Sequence, residues 1–154
     1  MAQSIQGVTT RPMTIADYDA VYRLWLSTPG MGLNTVDDSR EGIARYLRRN
    51  PATSFVALQG DTLIGVILCG HDGRRGIIHH TAVRADLRGR GIGKALATAA
   101  LDALRAEGIA KAWLVVFGNN ETGNAFWEQL GFENRADLNF RGITLDHSLV
   151  RIDT

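Results

Sequence analysis

Apolar positions recur along this chain with two different periods, and the changes of period mark out its elements. Val8 to Met13 predicts a first strand. Thr14-Ile15-Ala16-Asp17 is a capping-box variant opening a helix with Tyr18, Val21, Tyr22 and Trp25 on one side. Ser27 to Asn34, with Pro29, Gly30 and Gly32, predicts a loop. Asp38 or Ser39 caps a second helix through Ile43, Tyr46 and Leu47 to Arg49, and Asn50-Pro51 ends it. Ser54 to Gln59, Thr62 to Cys69 and Ile77 to Val83 are three further strands separated by Gly-containing turns. Gly91 to Glu107 is a long Ala- and Leu-rich helix stopped by Gly108. Ala112 to Phe117 is β-rich without alternation, which predicts a strand covered on both faces. A short helix over Thr122 to Leu130 ends at Gly131, and the loosely alternating stretch Phe132 to Ile152 suits two closing strands. The predicted order is β-α-α-β-β-β-α-β-α-β-β, a mixed sheet with helices on its faces in an α/β or α+β arrangement.

Composition narrows the class without choosing a function. The chain has 154 residues, 45% of them hydrophobic and 21% charged, values ordinary for a soluble domain. With no repeat, low-complexity tract or Pro-rich linker, residues 8–154 are expected to form one domain after a loose start over residues 1–7. No apolar run approaches the ~20 residues that span a bilayer, and no secretory signal pattern opens the chain, so a cytoplasmic location is expected. A single cysteine, Cys69, forms no internal disulfide and reads as a small buried hydrophobe. Net charge is +1, which argues against a nucleic-acid or membrane surface. The charge is uneven, however: Arg84, Arg88, Arg90 and Lys94 lie within eleven residues that contain one acid, Asp86. No His, Cys or acidic spacing suggests a metal site.

That basic stretch contains Arg88-Gly89-Arg90-Gly91-Ile92-Gly93 between a strand and the longest helix. A helix start offers unpaired N–H groups and the positive end of the dipole, and glycines let an anion approach the backbone. Gly89, Gly91 and Gly93 are expected to supply the access, and Arg88, Arg90 and Lys94 the charge, for a pyrophosphate. The spacing is neither that of an NTPase P-loop nor that of a dinucleotide fingerprint.

Arg88-x-x-Gly91-x-Gly93, preceded by Thr81-Ala82-Val83 and followed by a long helix, resembles the GNAT superfamily of acetyl-CoA-dependent N-acetyltransferases. A second element is similar: Trp113-Leu114-Val115-Val116, then Asn120, then Phe126-Trp127-Glu128-Gln129-Leu130-Gly131-Phe132. The resemblance runs in element order from Val8 to Leu149 and is specific from Ile77 to Phe132. It implies a GNAT fold: a mixed, mostly antiparallel sheet of about seven strands, four flanking helices, and central strands splayed at the CoA site. It implies acetyl transfer from acetyl-CoA to a primary amine by direct attack, the acceptor being a small molecule, an amino acid, a polyamine or a protein N-terminus. Backbone groups of Ala82 and Val83 would meet the pantetheine arm, amides from Arg88 to Lys94 (Gly89, Arg90, Gly91, Ile92 and Gly93 between them) the pyrophosphate, and Asn120 the cofactor. The N–H near Val83 would polarise the thioester carbonyl. Dimers are common in that family, and no metal is required.

The departures define what stays open. Many members carry Tyr where this chain has Trp127, and an indole is no acid; Trp127 either packs against the pantetheine or donates a hydrogen bond near the sulfur. For the base, alternation places His79 and His80 on opposite faces, with Ile77, His79 and Thr81 on one side. His79 is favoured and His80 is second; both could instead be hydrogen-bonded sheet histidines, leaving an acid in Ser27 to Glu41 to act through water. Tyr22, Trp25 and Met31 fall where an acceptor wall is expected, although helical spacing suits core burial of the first two equally. Asp37, Asp38 and Glu41 could attract a cationic amine. Two other classes are weighed: a non-catalytic acyl-CoA-binding module, and a nucleic-acid-binding domain using Arg74, Arg75, Arg84, Arg88 and Arg90.

Overall fold

The computed structural model describes residues 6–154. Of the start expected to be loose, residues 1–5 lie outside the described residues, while Gln6 and Gly7 form an exposed turn. The elements are β1 (Val8–Pro12), α1 (Tyr18–Leu26), β2 (Leu33–Asn34), α2 (Arg40–Arg49), β3 (Phe55–Gln59), β4 (Thr62–His71), β5 (Gly76–Val83), α3 (Ile92–Ala106), β6 (Ala112–Leu114), α4 (Glu121–Gln129) and β7 (Arg151–Ile152). Thr14 N–H donates to the Asp17 carboxylate at 2.9 Å, and a single 3-10 turn leads into α1. Ser39, not Asp38, caps α2 through a bond from Gly42 N–H.

Among the described residues there are seven strands and four helices, in keeping with the mixed α/β fold, but the strands form two sheets. Five pair in the order β1-β3-β4-β5-β6, all antiparallel except β5 with β6. The other two, β2 and β7, form a small ladder joining Leu33 to Ile152. The centre is β4, whose residues Ile64 to Gly70 are all buried because both of its faces are covered. Val66 and Leu68 pack with Met13, Val21, Trp25, Ile43 and Val56 under α1 and α2. Ile64, Ile67 and Cys69 pack with Leu96, Ala97, Ala100 and Leu104 of α3 on the opposite side.

One irregularity in this ladder shapes everything downstream. Ile67 of β4 stands opposite Thr81, yet Cys69, two residues on, stands opposite Ile78. The three steps from Ile78 to Thr81 therefore face two on β4, so β5 carries a β-bulge at His79 and His80. The bulge resets the alternation. Ile78 belongs to the α3 core and Ala82 to the α1–α2 core, although strict alternation would put both on one face.

Three expectations are corrected here. Ala112 to Phe117 is a strand only to Leu114 and is not covered on both faces: Trp113, Val115 and Phe117 are exposed. The stretch from Phe132 yields one two-residue strand rather than two, because the sheet edge at β6 ends before it can offer the chain a ladder. Leu138, Phe140, Ile143 and Leu145 are left exposed as a result. Inside the predicted loop Ser27 to Asn34, Leu33–Asn34 becomes β2, since its partner lies over a hundred residues away and leaves no local signal.

Leu96 is fully buried between α3 and β4. Leu96→Ala should lower unfolding free energy by about 2–5 kcal/mol in urea titration, with an unchanged slope.

Candidate active site

Three features of the sequence from Gly76 to Lys94 build a cleft at one end of β5. Pairing of β5 with β6 stops at Ile78 and Leu114, while β5 runs on to Val83. The two strands part, and the gap opens into a cleft of ≈ 2650 Å³. Single small-molecule pockets are ~300–1,000 Å³, so this space suits a large ligand together with a second one. Its walls come from the α1–α2 loop, β5, the start of α3, and α4.

Ladder parity decides which backbone groups face the gap. Arg84 N–H donates to Ile64 C=O at 2.8 Å, so Ala82, two residues earlier, also spends its backbone groups on β4. Val83 is a non-bonded position of that ladder and directs its N–H and C=O toward the parted side. Of the expected pair, Val83 is available to a ligand's polar arm and Ala82 is not. Arg88 Nε donates to Val83 C=O at 3.2 Å, holding the loop against the strand end.

The start of α3 leaves backbone donors facing the cleft without partners. Gly91, the residue before the helix, has φ 84°, and Gly89 has φ 76°, both in the left-handed region that side-chain-bearing residues avoid. The N–H groups of Ile92, Gly93 and Lys94 have no helical partner, since the first helical bond runs from Ala95 N–H to Gly91 C=O. Among the four helices, α3 alone has neither an acid in its first turn nor a side chain at the cap position that could bond those groups. Arg88 and Lys94 line the cleft; Arg90 does not, and Arg84 is neutralised by Asp86 through bonds of 2.7 and 3.0 Å. Gly93 has a different task from the other two glycines. A Cβ there would lie 3.2 Å from the Phe126 ring, so its absence lets α4 lie close against α3.

On α4, Asn120 is the N-cap, accepting from Gly123 N–H at 2.9 Å, and it lines the cleft. Trp127 is 8% exposed, edge-on to Phe126 at 4.8 Å and to Phe132 at 5.2 Å between ring centroids. It fills the space beneath α3 and brings no acid to the cleft.

The bulge overturns the expectation that His79 and His80 occupy opposite faces. Their ring centroids are 6.5 Å apart, and both look toward α1 and α2. His79 meets the Tyr46 ring at 5.6 Å and His80 meets Trp25 at 5.0 Å. Thr81 turns to the α3 side, so it does not share a face with His79. Both imidazoles line the cleft. His79 reaches solvent through the cleft mouth but is hemmed in by protein; that desolvation, reinforced by repulsion from His80, lowers its pKa below the usual 6.5 despite Asp38 and Asp37 nearby. The imidazole is therefore neutral at pH 7.

His80 Nε2 lies 2.8 Å from Asp38 Oδ1, and Asp38 is 3% exposed. The other carboxylate oxygen accepts from Asn34 N–H at 2.8 Å, while Tyr18 OH donates to the Asp38 carbonyl at 2.7 Å. This pairing was not visible in the sequence, where Asp38 competes with Ser39 as a cap and lies 42 residues from its partner. Of the proposed acceptor wall, Met31 lines the cleft. Trp25 has no exposed surface and Tyr22 lies outside the cleft, stacked on Tyr18 at 5.5 Å, so both are corrected to core and support. Asp37 and Glu41 also line the cleft. Burial pushes the Cys69 thiol up to about 12, which removes it from nucleophilic chemistry. Among the described residues no cluster of His, Cys and acids could hold a metal.

A family model for the acetyltransferase (GNAT) family matches residues 18–132. An acetyltransferase of Sodalis glossinidius is 33% identical over 117 residues, covering 76% of this chain and 81% of that protein. One of Pectobacterium atrosepticum is 32% identical over 117 residues, covering 76% and 82%. Among solved structures, Ard1 from Thermoplasma volcanium superposes with TM-score 0.75 at 23% identity over 84% of this chain and 85% of its own. PaiA N-acetyltransferase from Thermoplasma acidophilum, solved with coenzyme A, gives TM-score 0.68 at 18% identity over 82% and 89%.

In an NMR titration the His79 ring should show a midpoint below 6.5. A midpoint at or above that value would contradict the desolvation argument.

Proposed function

The chain belongs to the GNAT acetyltransferase family, and from that premise we propose how its cleft carries out transfer. The protein is an acetyl-CoA-dependent N-acetyltransferase acting on amine acceptors. Our reading places the CoA pyrophosphate on the N–H groups at the start of α3, with Arg88, Gly89, Gly91, Ile92, Gly93 and Lys94 around it. The observation that carries this is the uncapped, acid-free start of α3 behind two left-handed glycines. Arg90 adds to the local field from outside the cleft. Acetyl-CoA supplies an activated acyl group. Val83 N–H, aimed into the gap between β5 and β6, is placed to stabilise negative charge on the acyl oxygen. Asn120 and Trp127 border the same arm of the cleft.

The acceptor enters on the side of Met31, Asp37, Glu41 and the two histidines, as a small molecule, an amino acid or a protein N-terminus. The amine attacks in its uncharged form, and His79, neutral at pH 7, takes the proton that leaves its nitrogen as the C–N bond forms. As the C–N bond forms and the C–S bond breaks, the thiol leaves as thiolate. Trp127 has no proton to give, so solvent in the open cleft protonates it. Residues 8–154 serve as one catalytic domain. No helix among the described residues is long and apolar enough to cross a membrane; we place the enzyme in the cytoplasm.

A homodimer completes this reading. Trp113, Val115 and Phe117 are exposed at the open edge beyond β5, and Leu138, Phe140, Ile143, Leu145 and Val150 are exposed along the closing stretch. Eight exposed apolar side chains, three of them aromatic, form the kind of patch that marks a protein–protein interface. One group is a strand edge without a neighbour and the other an alternating segment without a ladder. Reciprocal exchange about a two-fold axis satisfies both. Sedimentation should show a dimer, and Phe140→Asp with Leu145→Asp should shift it to monomer.

Thiol release from acetyl-CoA over a panel of amines tests the activity. Turnover should be saturable, and His79→Ala should lower kcat about a hundredfold with acetyl-CoA affinity within twofold. Saturable CoA binding without turnover on any amine would indicate a binding module instead.

A further inference from the structure

The His79–His80–Asp38 arrangement bears on which amines the site accepts, given the acetyltransferase reading above. Asp38 Oδ1 is a carboxylate oxygen and only accepts, so His80 Nε2 carries the ring proton toward it. Nδ1 of His80 then holds a lone pair. It makes no hydrogen bond among the described residues, is not a sealed polar atom, and belongs to a ring on the cleft wall. Trp25, fully buried behind it, fixes the ring plane. The two imidazole centroids are 6.5 Å apart. One nitrogen between the rings can reach both of them through two bent N–H···N bonds of ~2.9 Å.

We propose that the acceptor nitrogen sits between His79 and His80, donating one N–H to each, and that Asp38 is the positioning residue that makes His80 an acceptor. A neutral primary amine has two N–H bonds and one lone pair. With both N–H groups held by imidazole lone pairs, its own lone pair is left free to attack. His79 takes the proton that departs as the C–N bond forms, while His80 orients the amine through Nδ1. A secondary amine has one N–H and leaves one imidazole unpaired, so the site selects primary amines.

Asp38→Asn isolates the positioning role. Its neighbour Asn34 N–H must still donate, so the carboxamide oxygen turns to it and the NH₂ group faces His80. His80 Nε2 must then accept, which moves the ring proton to Nδ1 and removes the lone pair from the cleft. The same exchange of tautomer by a carboxylate-to-amide change is known to disable serine-protease histidines.

The test combines nitrogen NMR of the imidazoles with kinetics on matched amines: benzylamine against N-methylbenzylamine, and an N-terminal alanine peptide against its N-methyl form. At alkaline pH wild-type His80 should carry its single ring proton on Nε2, and Asp38→Asn should move it to Nδ1. Wild type should prefer the primary amine in kcat/KM by about tenfold or more. Asp38→Asn should lose most of that preference, with kcat reduced at least tenfold and acetyl-CoA affinity within threefold. Equal rates on primary and N-methyl amines, or a wild-type His80 protonated on Nδ1, would overturn the proposal while leaving acetyl transfer intact. Absence of thiol release by wild type with every amine would overturn the acetyl-transfer reading and this proposal together. Both wild-type readouts decide the matter even if Asp38→Asn does not fold.

Discussion

Beyond Ile78, β5 keeps a hydrogen-bonded neighbour on one side only, and that asymmetry is the constraint on which the site depends. The β4 ladder continues to Arg84 and holds the strand rigid, while β6 has already turned away after Leu114. A strand held from one side presents unspent backbone groups on the other. Here those groups lie inside the protein, bounded by α3 and α4, so the exposed edge becomes a binding groove rather than an aggregation surface. The loop after Val83 then delivers the chain to the helix start, and Arg88 closes back on the Val83 carbonyl. The start of α3 and the open edge of β5 are thus two ends of one piece of chain.

The bulge does for side chains what the parted strands do for the backbone. An unbulged β5 would send one histidine beneath α3 and leave one on the acceptor side. One inserted residue gathers both on the same wall, at the cost of a locally broken ladder that the rest of β4 compensates. Around them the polar atoms are sorted by burial. Asp38 is covered and saturated, His80 is tied at one nitrogen, and His79 has no tie beyond its packing on Tyr46. The freedom of each group rises toward the place where chemistry occurs.

How much of this the sequence disclosed depends on the range of the interaction. Local signals were legible: the Thr14–Asp17 turn, the helix from Gly91, and glycines before that helix all follow from residues within a few positions of one another. The two spaced motifs carried the family as well. Features set by distant partners were not legible. The bulge arises from how β4 meets β5, and a period of two read along β5 alone placed His79 and His80 apart. Asp38 reads as a cap beside Ser39 because its true partner is 42 residues away. Trp25 and Tyr22 carry the same helical spacing whether they face a cleft or a core, so only packing separates the cases. Alternation beyond Phe132 was real, but alternation without a neighbouring strand is only half of a β-strand.

The small β2–β7 ladder has a consequence in time rather than in space. Leu33 pairs with Ile152, Thr35 exchanges hydrogen bonds with Val150, and Met31 N–H reaches Thr154 Oγ1 at 3.1 Å. The segment around Met31 is therefore tied down by residues translated more than a hundred positions after it. The elements that bound the cleft at β5, α3 and α4 are complete by Gln129, before Arg151 and Ile152 are added. A chain still being synthesised passes through a stage with its cofactor groove assembled and its acceptor wall unpinned. The Met31 side of the cleft is thereby pinned only after its other walls have formed.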